Sequence, residues 1–233
     1  MMNGHQSVTA KIAGHDITLE TGQMARQAGG SIIATLGETK VFAAVTAGKP
    51  REDIDFFPLV CDYREKTESA GKIPGGFFKR EGRPTTKEIL TMRMIDRSIR
   101  PMFPDGYKAE VQVMTHVLQY DGTNNPDVLA MIAAFAAIRV AGLPFDTSLG
   151  AVRIAHVDGE FVAFPTDEDR RSNSRLDLVV SGHKDGLAMV ESSAKELSEA
   201  EMIDALEMAS NTIQEIVALV DEIKKVAGKP EME

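Results

Sequence analysis

The chain has 233 residues, of which 43% are hydrophobic and 26% charged, with a formal net charge of −9; this fits a globular protein and excludes collagen-like, mucin-like and wholly disordered chains. The longest apolar run, residues 128–138, is too short to span a bilayer, and the amino-terminal residues lack the apolar core of a secretory signal. Because Cys61 is the only cysteine, no intramolecular disulfide can form, and we expect a soluble cytoplasmic protein with no membrane partner.

The first 65 residues consist of short runs of alternating polar and apolar side chains separated by turn residues, a pattern that predicts strands. We expect one hairpin around Gly14 and His15 and a second that joins residues 31–36 to residues 41–46. A further strand is predicted over residues 57–63. The chain is therefore predicted to open with a run of strands.

A helix is predicted next. Pro84 and the capping-box spacing of Thr85 and Glu88 mark its start, and Pro101 and Pro104 mark its end. Its predicted buried stripe consists of Ile89, Met92, Ile95 and Ile99.

Alternation returns over residues 109–120, which predicts another strand. Asn125, Pro126 and Asp127 then have the form of an N-cap, a first-turn proline and a first-turn acid. An apolar helix should follow over residues 128–140.

A hairpin, two further strands and a helix complete the predicted fold. Residues 152–163 predict a hairpin around Asp158 and Gly159, and residues 176–180 and 187–190 predict two further strands. A capping box of Ser198 and Glu201 opens a last helix. Its apolar positions recur at steps of four and three: Met202, Leu206, Ala209, Ile213, Ile216, Val220 and Ile223. This stripe favours a helix laid across a sheet over a coiled coil, and the element order predicts one α+β domain over residues 1–228.

One segment is strongly basic in an acidic protein. Residues 64–100 hold ten Lys and Arg against five Asp and Glu, so this segment carries +5 and the other 196 residues carry −14. Such a distribution predicts one surface that meets an anion while the remainder keeps the protein soluble.

Within that segment, glycines flank two adjacent aromatic residues, Phe77 and Phe78, which are followed by Lys79, Arg80 and Arg83. Aromatic rings beside cations suit single-stranded nucleic acid, because rings stack on bases and cations bind phosphates. The alternative is a glycine-rich hairpin whose phenylalanines enter the core.

Three arginines of the predicted helix, Arg93, Arg97 and Arg100, follow each other at steps of four and three, which predicts that they share one face. An anion site and a solvated face with internal salt bridges are both compatible with that spacing.

Other candidate sites are weaker. Residues 121–125 precede a helix and could offer backbone N–H groups to a phosphate, but ordinary helix capping is favoured there. The acidic residues 167–169 are followed by Arg170 and Arg171, which predicts a solvated loop. The five histidines have no metal-ligand spacing, and no Walker loop, nucleophile elbow or dinucleotide fingerprint is present.

The basic segment resembles a known family. Residues 72–84 (KIPGGFFKREGRP) and 95–104 (IDRSIRPMFP), with matches at 124–127 and 176–180, closely resemble the first RNase PH-like core of bacterial polynucleotide phosphorylases over residues 6–228. Stand-alone RNase PH is similar at Gly82, Arg83 and the arginine helix but lacks the Gly-Gly-Phe-Phe loop.

The resemblance implies an RNase PH-like fold (ribosomal protein S5 domain 2-like), with mixed sheets packed with helices. It also implies phosphate-dependent 3′-to-5′ degradation of single-stranded RNA by a homotrimeric ring whose Mg²⁺ or Mn²⁺ and inorganic phosphate are bound in a second core. RNA-degradosome components are further implied partners. Residues 229–233 would begin the linker to a helical domain.

Two departures from the family pattern bear on catalysis. The catalytic second core of the family has an Asp six positions before a strand Asp, whereas here Arg171 precedes Asp177, and the serine-rich phosphate turn reads Thr123-Asn124-Asn125-Pro126. The resemblance therefore implies a copy without catalytic or metal-binding residues. Its RNA-guiding residues would be Phe77, Phe78, Lys79, Arg80 and Arg83, and Arg93, Arg97 and Arg100 would support RNA or phosphate at the neighbouring core. The alternative is a self-sufficient exoribonuclease like RNase PH.

Overall fold

The computed structural model describes residues 4–50, 52–80, 82–145, 147–172 and 174–231. In this part of the chain, ten strands form two sheets. The strands of the first sheet are β1 (Gln6–Ile12), β2 (His15–Thr21), β3 (Gly30–Leu36), β4 (Thr39–Pro50), β5 (Leu59–Arg64) and β6 (Ala109–Gln119). Their order is β1-β2-β3-β4-β6-β5, and all neighbours are antiparallel except β5 and β6, which are parallel. Both predicted hairpins are confirmed.

The second sheet is antiparallel throughout. It contains β7 (Gly150–Val157), β8 (Glu160–Ala163), β9 (Leu176–His183) and β10 (Gly186–Ala194) in the order β10-β9-β7-β8. Asp158 and Gly159 have φ of 50° and 89°, as expected for the left-handed two-residue turn that the Asp-Gly pair predicts.

The helices are α1 (Phe77–Arg80), α2 (Thr86–Ile99), α3 (Pro126–Ala141), α4 (Asp167–Ser172) and α5 (Glu199–Ala227). The predicted capping boxes of α2 and α5 are both present, and the Asn125 side chain caps α3 by accepting from the backbone N–H of Asp127. None of the described helices is long and apolar enough to cross a membrane.

The core lies around α3 and α5. Every residue of α3 is buried, and α3 contacts β3, β4 and β6 of the first sheet and β7 of the second. Gly30 permits the close approach of α3, because a Cβ at this position would lie 2.3 Å from the Ala137 carbonyl oxygen. Helix α5 packs on β7 and β9, contacts β1 and thereby lies across a sheet as its stripe predicts. The α+β class and the mixed first sheet are confirmed.

The predicted buried stripe of α2 is partly wrong. Ile95 and Ile99 are buried, but Ile89 is 45% exposed, and Glu88 occupies the buried side of the first turn instead. The rest of the buried face is formed by Thr91, Met94 and Ser98. The physical reason is that the Glu88 carboxylate accepts from the backbone N–H groups of Glu65 and Thr85, which an apolar residue cannot do.

The solvated loop predicted at residues 167–171 is also wrong. These residues form α4, and Asp167 at its start is buried and accepts a hydrogen bond from the Tyr120 hydroxyl.

The carboxyl-terminal residues 229–231 lie against the core. The Lys229 backbone N–H donates to the Val140 carbonyl at 3.0 Å, and its ammonium donates to the Gly29 carbonyl at 2.5 Å. The remainder of the predicted linker, residues 232 and 233, lies outside the described residues.

Candidate nucleic-acid interface

We call residues 71–84, which join the 3₁₀ turn at 67–70 to α2, the aromatic loop. Its side chains Phe77 and Phe78 are 62% and 86% exposed, so the alternative in which they enter the core is wrong. The two rings lie 5.8 Å apart between centroids at an interplanar angle of 79°. Gly75 and Gly76, just before α1, have open space where a side chain would be. The rings are thus presented to solvent on a short helical turn.

Cations flank these rings. Arg80 and Arg83 are exposed, and neither guanidinium forms an ion pair with another described residue. The side chain of Lys79 lies outside the described part of the structure. Exposed guanidiniums without intramolecular partners are available to phosphates.

A groove of about 810 Å³ runs along α2, the helix that follows this loop. Arg93 and Arg97 of α2 line it, as do residues of α3, α4, β7, β9 and β10. Arg93 forms no ion pair with another described residue, whereas Arg97 Nη1 lies 2.5 Å from Glu191 Oε2 on β10.

An ion-pair network lies in this groove, with the buried Arg153 of β7 at its centre. Its Nη2 donates to Asp127 Oδ2 at 2.6 Å, and its Nη1 donates to Asp177. Arg170 Nη2 donates to the other Asp177 oxygen at 2.9 Å, and its Nη1 lies 3.4 Å from Asp167 Oδ1. Burial raises the pKa of Asp177, but the charges and hydrogen bonds of Arg153 and Arg170 outweigh burial and lower it.

This network shows which cations surround Asp177 in place of the Arg171 that the sequence spacing points to. The carboxylate is not isolated, and the cations that neutralise it are Arg153 and Arg170, whereas Arg171 is 81% exposed and lies 3.9 Å from Asp167. Sequence reasoning did not consider Arg153 and placed Arg170 in a solvated loop rather than at this site. A signal for Arg153 existed, because a lone arginine within the apolar run 150–155 requires a buried partner.

The carboxylates of this network do not fit a divalent metal. Both oxygens of Asp177 accept from guanidiniums, so two fixed cations take the place that a metal would need. Among the described residues, no group of three His, Cys, Asp or Glu could hold a metal ion.

Arg100 is separated from the other two arginines of the basic helix. It lies just beyond α2, does not line the groove, and its Nε and Nη2 donate to both oxygens of Asp96 at 2.9 and 2.5 Å. Its Nη1 and Nη2 also donate to the carbonyls of Phe57 and Leu59. The structure therefore brings together Arg93 and Arg97 but places Arg100 at the start of β5.

The turn before α3 is built by capping, as favoured from sequence. The Asp121 carboxylate accepts from the backbone N–H groups of Thr123 and Asn124, both at 2.8 Å, and from that of Glu38 at 3.2 Å. Partial burial raises the pKa of Asp121, but these hydrogen bonds prevail and lower it to about 2. The N–H groups that a phosphate would need are occupied by a side chain of the same turn.

Comparisons with known proteins agree with this fold. Two family models match the chain: 3′ exoribonuclease family domain 1 over residues 13–144 and domain 2 over residues 147–212. The polyribonucleotide nucleotidyltransferase of Rhodopirellula baltica is 50% identical over 218 residues, which cover 94% of this chain and 29% of that protein. Those of Nitrobacter winogradskyi and Jannaschia sp. are 49% and 52% identical over 98% and 91% of this chain, and over 32% and 31% of their own lengths.

The chain thus spans about a third of the length of the curated relatives it matches. Both halves of the matched family are present in it, in the order expected, and the chain folds as an RNase PH-like core. The chain belongs to the 3′ exoribonuclease (RNase PH) family, whose members act on RNA, and it is similar to the amino-terminal core of polyribonucleotide nucleotidyltransferases.

Proposed function

We propose that this chain is an RNA-guiding core of a phosphate-dependent 3′-to-5′ exoribonuclease and that it binds single-stranded RNA without cleaving it. The observation that carries the proposal is the aromatic loop, where Phe77 and Phe78 are exposed beside Arg80 and Arg83. Each ring that stacks on a base contributes about 1 to 3 kcal/mol, and the neighbouring guanidiniums bind the backbone. Lys79 would add charge but not the planar fork of an arginine.

The ion pairs of Asp177 in the groove support the proposal that this core does not catalyse phosphorolysis. Metal-assisted phosphorolysis needs a divalent ion to offset the charge of the attacking phosphate and of the leaving oxygen. Because Arg153 and Arg170 occupy the Asp177 oxygens, the described residues of the groove lack an anionic ligand set for that ion. Magnesium or manganese and inorganic phosphate are therefore assigned to a second core.

The family resemblance supports the assembly part of the proposal. In a longer protein, this core would join a homotrimeric ring in the cytoplasm, with RNA-degradosome components as further partners. Arg93, Arg97 and Arg100 would face the active site of the neighbouring core. Of these, Arg93 and Arg97 line the groove and can reach a ligand bound there, whereas the contribution of Arg100 would pass through the segment it holds at Phe57 and Leu59.

A self-sufficient exoribonuclease like RNase PH is the second candidate, favoured by the groove itself, which keeps Asp177 next to several arginines. Incubating the chain with labelled oligo-A, inorganic phosphate and Mg²⁺ separates the two. We expect intact substrate, because the described residues provide no metal site. Processive release of ADP would establish the second candidate.

Binding is tested by changing both Phe77 and Phe78 to alanine. We expect the free energy of single-strand binding to weaken by about 2 to 5 kcal/mol, because two stacking rings are lost with incomplete additivity. The measurement is titration of a fluorescent oligonucleotide. Unchanged affinity would contradict an RNA-guiding role for the loop.

A further inference from the structure

The two ends of the segment that carries the aromatic loop meet at one carboxylate. Glu88 Oε1 accepts from the backbone N–H of Glu65 at 2.9 Å, and Glu88 Oε2 accepts from the backbone N–H of Thr85 at 2.6 Å. Glu65 follows β5, and Thr85 is the N-cap of α2. Glu88 is only 6% exposed. One side chain therefore closes the base of the segment from residue 66 to residue 84.

We propose that Glu88 is a positioning residue for RNA binding, which holds Phe77 and Phe78 in their exposed arrangement by joining both ends of the segment that carries them. This inference rests on the proposed RNA-guiding function. It assigns no contact between Glu88 and RNA.

The geometry exceeds what helix capping requires. A capping box uses only the bond from Glu88 to the Thr85 N–H, together with the bond from the Thr85 hydroxyl to the Glu88 N–H. The second acceptor oxygen binds Glu65, which lies 23 residues earlier in the chain. Glu65 Oε1 in turn accepts from the hydroxyl of the fully buried Tyr63 at 2.6 Å and from Lys87 Nζ at 2.7 Å. The base of the loop is thus fixed to the core.

The loop has few other restraints near its rings. On its amino-terminal side, the bond from the Tyr120 N–H to the Ser69 carbonyl at 2.9 Å joins the 3₁₀ turn to β6, and the Lys72 N–H donates to the Thr67 carbonyl of that turn at 3.1 Å. Between Lys72 and the rings, no described residue donates a further backbone hydrogen bond. Ile73, Phe77 and Phe78 are all exposed, so packing does not fix the rings. Their average position therefore depends on how tightly the two ends of the segment are held.

The ionised carboxylate of Glu88 is the form that can accept a hydrogen bond at each oxygen and so hold both ends of the segment. Burial raises its pKa, but the hydrogen bonds from Glu65 and Thr85 outweigh burial and lower it. A glutamine at this position has the same shape but one acceptor oxygen, and its amide would turn an N–H group toward one of the two backbone donors. Glu88→Gln should therefore release one of the two ends of the segment, at Glu65 or at Thr85.

The test is a double-mutant cycle on oligonucleotide affinity in the 233-residue chain, with Glu88→Gln, the double change Phe77→Ala and Phe78→Ala, and all three together. If the loss of this hydrogen bond leaves about a tenth of the molecules with correctly placed rings, Glu88→Gln weakens affinity about tenfold. In the background without the rings, the same change should alter affinity less than twofold.

Two single variants serve as controls. Glu68→Gln removes the same charge from an exposed side chain on the nearby 3₁₀ turn and should leave affinity unchanged. Thr85→Ala removes the hydroxyl cap of α2 while both bonds from backbone N–H groups to the Glu88 carboxylate remain, so it should lower the melting temperature but not the affinity. Equal affinity loss in Thr85→Ala and Glu88→Gln would overturn the proposal, since helix fraying would then explain both.

The outcomes separate this inference from the function on which it rests. If the ring variant loses affinity but Glu88→Gln does not, or if the two losses add, the positioning role is wrong and the RNA-guiding function stands. If the ring variant keeps full affinity, the function fails, and the positioning role fails with it.

A measurement on the unchanged protein covers the case in which Glu88→Gln fails to fold. Hydrogen exchange should be slow at the amides of Glu65 and Thr85 and fast over residues 73–78 between them. Fast exchange at the amide of Glu65 or of Thr85 would overturn the proposal.

Discussion

Arg153 shows at the scale of one residue how this groove is held together. Its guanidinium lies between Asp127 and Asp177, and Asp127 is itself buried. Arg153→Ala would leave that carboxylate in the interior without its cation, and we expect the free energy of unfolding to fall by about 3 to 5 kcal/mol. Urea denaturation measures this loss.

Arg171→Ala is the matched control, because it removes the same charge from an exposed side chain of the same groove. Its effect should stay within about 0.5 kcal/mol. Similar losses in both variants would mean that net charge, and not the buried pair, stabilises this region.

Asp121 gives a prediction for pH. Its pKa in the folded protein is about 2, below its ordinary value of 3.8, so the ionised form stabilises the fold. This contribution is complete above about pH 4 and is lost as the pH falls through about 2. Asp121→Asn should therefore cost about 1 kcal/mol at pH 7, allowing for solvent screening, and progressively less between pH 4 and pH 2. Urea titrations of both proteins across this range check it; a difference that grows on acidification would contradict it.

At the scale of the element, helix α2 shows where periodicity fails. The apolar periodicity identifies the apolar residues of α2 but not which face of the helix is buried. The buried face depends on the N–H group of Glu65, which binds Glu88 and comes from another part of the chain. Ile95→Ala should cost about 2 to 5 kcal/mol, whereas Ile89→Ala should cost less than about 1 kcal/mol. Melting curves of the two variants check the assignment. A larger loss of stability in Ile89→Ala than in Ile95→Ala would mean that Ile89 lies on the buried face.

Elements set by local chemistry could be predicted from the sequence. The Asp158-Gly159 turn and the caps of α2, α3 and α5 use groups within four residues of each other, and all are confirmed. Helix α4 has a cap of the same kind, in which the Asp169 N–H donates to Thr166 Oγ1 and the Thr166 N–H donates to Asp169 Oδ2, and sequence reasoning missed this signal. Asp167 and Arg170 are held by Tyr120 and Asp177, and those contacts exist only once the two sheets have come together.

At the scale of the whole molecule, the basic segment divides into two groups of cations. Arg97 and Arg100 are paired with Glu191 and Asp96 and help to hold the fold. Arg80, Arg83 and Arg93 form no ion pair with another described residue. The charge available to RNA is therefore smaller than the count of basic residues implies, and it lies at the aromatic loop and the groove. Recognising this required the structure, since the sequence shows the charges but not their partners.

This division predicts how salt affects RNA binding. A cation that binds phosphate releases counterions, so Arg80→Ala should make the slope of log K against log salt shallower by about 0.7 for a single strand. A stacking ring releases none, so Phe77→Ala should lower affinity and leave the slope unchanged. Titrating a fluorescent oligonucleotide over a salt series with both variants and the unchanged chain measures the two slopes. Arg175→Ala is the matched control: Arg175 is paired with Glu201 and lines neither the aromatic loop nor the groove, so the slope should change less than with Arg80→Ala. An unchanged slope for Arg80→Ala would mean that its exposed guanidinium is solvated in the complex as well, and that the rings alone hold the RNA at this loop.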